Sequence, residues 1–160
     1  MADAGDPTVI RFLAVSVDDV VSAVELNRTS SRRAVLRVTP PFNGRMRARL
    51  HVVHRNTPSS EPPDNPRPLH VDPERLLDAD APSYPTPAET EDELRSDPRE
   101  TYSVERHHER HVEAVSSWRT RTASAIAERA TIQTPAGPHE VGVLALGDLS
   151  TGERTKQRET

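Results

Sequence analysis

Residues 28–55 hold eight arginines and not one Asp or Glu. Within that stretch Arg33, Arg37, Arg45, Arg47, Arg49 and His51 occupy odd positions, while Ala34, Leu36, Val38, Met46, Ala48, Leu50 and Val52 occupy even ones. Side chains of a β-strand alternate between two faces, so this pattern predicts two strands, 33–39 and 45–54, with one apolar and one cationic face. Asn43-Gly44 invites a two-residue type I′ turn. That register would set Val38 opposite Arg49 and Leu36 opposite His51, mixing the faces. A longer loop, Pro40 to Gly44, keeps them apart and is the connection expected, the more so because Pro40 and Pro41 cannot extend a ladder.

The flanking segments read as helices, linker and one more strand. Asp6-Pro7 is an N-cap followed by the residue best suited to a first helical position, and Ile10, Leu13, Ala14, Val17, Val20, Val21 and Val24 recur at helical spacing. They predict a helix over 7–27. The competing pattern, Ser16-x-x-Asp19, would cap a helix at Ser16 and leave Thr8 to Val15 as a β-branched strand. NTPSSEPPDNPRP, residues 56–68, has five prolines in thirteen residues and no periodicity, which predicts an extended linker. Order is expected again from Leu69, with a short helix from Asp72-Pro73 to Leu77. Thr86-Pro87-Ala88-Glu89 is a capping box for a helix ending near Arg95. Asp97-Pro98-Arg99-Glu100 repeats the device and predicts the longest helix, to about Arg129, before Pro135, Gly137 and Pro138. Glu140 to Leu146 reads as a final buried strand.

Only 32 of the 160 residues are Val, Ile, Leu or Phe, enough for one modest core. The expected architecture is therefore a single α+β domain: the N-terminal helix and the long helix packed on the apolar face of the hairpin, which the last strand extends. Residues 6–55 and 69–148 share that domain, the Pro-rich linker 56–68 joins them, and 1–5 and 149–160 are expected to be disordered tails. The absence of Cys rules out disulfides, thiolate nucleophiles and sulfur-ligated metal. No apolar run reaches the 18 residues of a membrane span and the N-terminus is acidic, so the expectation is a cytoplasmic protein without membrane contact.

Candidate chemistry is thin. His107, His108 and His111 fall at i,i+3 and i,i+4 on the long helix, a spacing that can hold a metal. Val112, however, stands where the zinc-protease pattern needs its second His. The stripe Val104, His108, His111, Val115, Trp118, Thr122, Ala125 predicts instead that His108 and His111 border the core, so no metal and no cofactor are expected. Gly142 and Gly147 have phosphate-loop spacing, but Asp148 replaces the required Lys. No catalytic residue emerges. The cationic hairpin face, Arg33, Arg37, Arg45, Arg47, Arg49 and His51, is the candidate binding surface. Its alternate side chains lie about 6.6 to 7 Å apart, near the repeat of a phosphate backbone. Against nucleic acid, no aromatic side chain is expected in these strands, because Phe42 lies in the loop. The arginines are expected to dock in cis against Glu89, Glu91, Asp92 and Glu93.

VLRVTPPFNGRMRARLHV, residues 35–52, with the preceding DDVVSAVELNR, resembles a small haloarchaeal protein family without assigned function. The resemblance implies a salt-adapted cytoplasmic protein and carries no catalytic residues. Of the 21 basic residues 20 are Arg, a composition that a salt-loaded cytoplasm and a GC-rich coding bias explain equally well. The function expected is a non-enzymatic protein-interaction module that binds an acidic partner, or a second copy of itself, through the Arg face or the long helix. Nucleic-acid binding through the same arginines is the alternative, and a metal-dependent hydrolase built on His107 to His111 is third.

Overall fold

The computed structural model describes residues 5–53 and 67–149. The fold is α+β, with a six-stranded mixed sheet. Its strands are β1 (Phe12–Ser16), β2 (Arg33–Val38), β3 (Arg45–Val53), β4 (Leu69–Val71), β5 (Arg129–Thr134) and β6 (Gly137–Leu146), in the order β4-β2-β3-β1-β6-β5. The helices are α1 (Val17–Thr29), α2 (Pro87–Ser96) and α3 (Val104–Ser124).

The helix expected over 7–27 divides at Ser16, as the competing pattern had it. Asp6 caps only a single 3-10 turn, Pro7–Val9, accepting the Thr8 N–H at 2.9 Å. Ser16 Oγ then accepts the Asp19 N–H at 3.3 Å and opens α1. Residues 12–16 form the central strand because that is where their alternation finds partners: β1 runs parallel to β3 on one side and to β6 on the other, burying Leu13 and Val15 completely. The helical spacing of 10–24 was a coincidence of two segments, one of period two and one of period 3.6.

The hairpin has the longer connection. Leu36 lies opposite Leu50 and Ala34 opposite Val52, so the apolar face is unmixed. β3 serves two neighbours: its first half, Arg45 to Ala48, pairs with β1, and Arg49 to Val53 pair with β2. Where β1 ends, Asp19 at the start of α1 accepts the Leu50 N–H at 3.2 Å. Asn27 near the end of α1 brackets Ala34, donating to its carbonyl at 3.0 Å and accepting its N–H at 2.7 Å. Both ends of α1 thereby fix the helix against the sheet.

Two further expectations fail on the C-terminal side. Asp97 makes a local turn, accepting the Arg99 N–H at 3.0 Å, and α3 starts six residues later, where Ser103 Oγ accepts the Arg106 N–H at 3.0 Å. The helix also stops at Ser124, and residues 129–134 form β5, a strand missing from the sequence reading. β5 turns into β6 through Pro135-Ala136, with Gly137 at φ +111°, a conformation open to glycine. α2 agrees with its capping box, Thr86 Oγ1 accepting the Glu89 N–H at 3.2 Å.

The core lies between the sheet and α1, where Val20 and Ala23 meet Leu13, Val15, Leu36, Val38, Ala48, Ile132 and Val141. α3 does not pack on the hairpin as expected. It lies on the outer side of α1, with Trp118 buried against Val21 and Val24 and its indole N–H donating to the Pro82 carbonyl at 3.1 Å. The layers are thus sheet, α1, and then α2 with α3. Of the linker expected at 56–68, only Arg67 and Pro68 are among the described residues, and of the tails expected at 1–5 and 149–160 only Gly5 and Leu149 are. No helix among the described residues is long and apolar enough to cross a membrane.

Candidate interaction face

The described helices stack on the side of the sheet that carries α1, and in β2 and β3 the odd-numbered arginines and His51 point to the other side, joined across the register by the even-numbered Phe12 and Ala14 of β1. Arg33, Arg37, Arg45, Arg47, Arg49 and His51 share that outer face, as the alternation requires. The register sets Arg37 opposite Arg49 and Val35 opposite His51, and β4 adds His70 opposite Arg37. The rings of His51 and His70 are 5.5 Å apart. Partial burial, together with His51, Arg37 and Arg33, pushes the His70 pKa below the ordinary imidazole value. Arg33 reaches Asp72 at 3.4 Å. Arg45, Arg47 and Arg49 are exposed and form no ion pair with any described residue.

Docking of these arginines against the acidic segment in cis does not occur among the described residues. The acids are used in the outer helical layer: Glu91 pairs with Arg95 at 2.9 Å, Asp97 with Arg99 and Arg110 at 3.3 Å each, and Glu100 with Arg106 at 2.6 Å. Glu89, Asp92 and Glu93 are exposed on α2. α1 separates this layer from the sheet, and the arginines face the opposite way.

The sequence reading missed one member of the outer face. Phe12, assigned there to a helix, is on β1 directly opposite Arg45, and 40% of it is exposed. On its other side lies Gly142 of β6, and a Cβ at that position would come within 2.6 Å of the Phe12 ring carbons Cδ1 and Cε1. The ring therefore rests on the glycine backbone. Ala14, Leu144 and Leu146 continue this apolar strip beside the arginines. The Ser16-x-x-Asp19 cap was the signal that could have moved Phe12 out of the helix.

The histidine cluster has a structural task. His107 Nε2 lies 2.9 Å from the Pro87 carbonyl and 3.2 Å from Thr90 Oγ1, and His111 Nδ1 lies 3.1 Å from the same hydroxyl. Thr90 is buried, so the two imidazoles clasp α2 to α3. His108 is exposed, a correction to the stripe that placed it beside the core: the inward face carries His107, His111, Trp118 and Thr122. No group of three His, Cys, Asp or Glu side chains among the described residues could hold a metal. An open concavity of about 550 Å³ is lined by Arg28, Arg33, Asp72 and Glu74, whose charges pair with one another.

A family model described as a domain of unknown function (DUF8009) matches residues 1–147. The chain belongs to the DUF8009 family. No curated protein and no solved structure matches it. The matched residues of this DUF8009 chain take in every strand of the sheet and all three helices, the Arg face and Phe12 included.

Proposed function

We propose that this protein is a non-enzymatic interaction module whose outer sheet face binds a partner presenting a row of anionic groups. One observation carries the reading: Arg45, Arg47 and Arg49 stand in line on one strand face, exposed and without a carboxylate among the described residues to neutralise them. Arg45, Arg47 and Arg49, at alternate positions of one strand, repel one another, and an anionic ligand relieves that. Alternate side chains about 6.6 to 7 Å apart suit a chain-like ligand better than a compact one. An acidic protein segment, the partner expected from the sequence, and a nucleic-acid strand both have that chemistry. The rest of the molecule supports binding over catalysis, since the histidines of α3 are engaged in holding α2 and the charges around the open concavity pair internally.

The setting that goes with this reading is a salt-rich haloarchaeal cytoplasm, supported by Arg replacing Lys almost throughout. Exposed charge pairs contribute little there, since the screening length is about 3 Å at 1 M salt. The test is retention of the full-length protein on a polyanionic resin such as heparin, at 0.1 M KCl. The parent is expected to bind, and a variant with Arg45, Arg47 and Arg49 all changed to Ser to elute at clearly lower salt. A parent that flows through, or a variant that elutes with it, overturns the proposal.

A further inference from the structure

Resting on that reading, we propose that the anionic partner is single-stranded nucleic acid, with a base stacked on Phe12 and the adjoining phosphates on Arg45, Arg47 and Arg49. Phe12 is a large apolar side chain on a central strand, and it remains 40% exposed on the sheet face opposite α1, where none of the described helices lies. Gly142 lets the ring lie against the sheet, where any side chain at that position would meet it. A ring supported from below in this way is a platform for another flat group.

The second step is adjacency. Arg45 is the direct cross-strand neighbour of Phe12, and Arg47 is the neighbour of Ala14. A strand of nucleic acid running along β3 would place one phosphate near each successive guanidinium, with a base turned towards β1. Duplex DNA hides its base faces in the stack and could use only the arginines. An acidic protein segment could use the arginines and the apolar strip, but gains nothing from aromaticity at residue 12. Salt sharpens the distinction, because the phosphate contribution fades as KCl rises while stacking persists.

The experiment measures binding of the full-length protein by fluorescence anisotropy from 0.1 to 2 M KCl. The probes are labelled 12-nucleotide single-stranded DNA and RNA, the matched duplex, and polyglutamate. Single strands are expected to bind most tightly, with log K falling against log salt at a slope steeper by about 2 than that of the Arg45, Arg47, Arg49 triple Ser variant. Phe12→Ala is expected to weaken binding by about 5- to 100-fold. Phe12→Leu should lose as much, and Phe12→Trp should restore the affinity. Duplex or polyglutamate binding at least as tightly as single strands, or Phe12→Leu binding like the parent, overturns the inference while leaving the anion-binding face intact. Failure of every probe to bind the parent at 0.1 M KCl, or equal binding by the triple Ser variant, overturns the face itself.

Discussion

The arginines of α3 and the arginines of β3 are chemically identical and do different things. Arg106 donates to both oxygens of Glu100, from Nε at 3.0 Å and Nη2 at 2.6 Å, which holds the Glu100 carboxyl below its usual range and the guanidinium proton more tightly than usual. Arg110 lies between Asp97 and Glu100, and Arg119 joins Glu25 and Asp18 of α1. Arg106 and Arg110 tie α3 to the turn that follows α2, and Arg119 ties it to α1. Arg45, Arg47 and Arg49 have no such acids, because the segment that forms the hairpin contains none. The lesson is that charge segregation along the chain decides the use of a cation: mixed segments neutralise themselves on folding, and a segment of one sign presents its charge outward.

If the outer helical layer is structural, its anchor should be the most sensitive point. Trp118→Ala removes the side chain on which α3 meets α1, and it should destabilise by about 3 to 5 kcal/mol in urea unfolding. Leu36→Ala, fully buried one position from the cationic parity, should cost about 2 to 5 kcal/mol, and Leu50→Ala less because Leu50 is only half-buried. A cost for Trp118→Ala below that for Leu50→Ala would mean that α3 is an appendage and not part of the folded unit.

Arg119→Ala comes next. It removes the ion pairs to Glu25 and Asp18 and leaves the partly buried Glu25 the Tyr84 hydroxyl at 3.2 Å, so a loss of about 1 to 3 kcal/mol is expected. The Tyr84 hydroxyl is held protonated to higher pH by burial and by Glu25, which keeps it a donor throughout the neutral range. A cost of a few tenths of a kcal/mol would erase the contrast between the two arginine sets.

The contrast also has a pH signature. His70 is depressed below 6.5 in the folded protein, so the unfolded chain binds its proton first and stability falls as pH drops from about 7. Asp97 is depressed by the Arg99 backbone N–H and then its guanidinium, and Glu100 by Arg106, so what they contribute is present above their unfolded values of 3.8 and 4.5 and is lost as pH falls through the folded ones. Melting temperature against pH should therefore decline in two limbs. His70→Asn should remove the upper limb alone, and Arg106→Met should flatten the lower one. A single limb, unchanged by both substitutions, would show that neither environment matters to folding.

How much of this was legible follows from which interactions are local. Alternation in 33–53 fixed the hairpin faces and its loop, and the caps at Ser16 and Thr86 fixed two helix starts, because each depends on residues within a few positions. The pairing of β1 with β3 and β6 depends on residues over 30 and over 120 positions away, and no local pattern encodes it. Phe12 was lost because the longer helical spacing outweighed the Ser16 cap, which would have left Thr8 to Val15 as a strand; only the neighbours of that strand lay beyond any local pattern. β5 was lost because Arg129–Thr134 lies between a helix and a Pro-Gly turn and contributes just two buried side chains, Ala130 and Ile132. At Asp97-Pro98 the capping signal was real but was spent on a turn, since Asp97 serves Arg99 and Arg110 at once.

The smallest effect is the most telling. Changing Arg45, Arg47 and Arg49 together to Ser deletes three large side chains from the middle of the sheet, and a structural role would make that costly. They are exposed and make no ion pair with described residues, so each deletion should lie within about 0.5 kcal/mol of neutral. The sign follows from their crowding: three cations on alternate positions of one strand repel, so the triple variant should melt slightly above the parent at 0.05 M KCl. At 1 M KCl, where the screening length is about 3 Å, that gain should vanish. Melting curves of both proteins at the two salt concentrations decide it. A loss of more than about 1 kcal/mol in the variant at either salt concentration would make these arginines structural, like those of α3, and the difference between the two sets would be one of position alone.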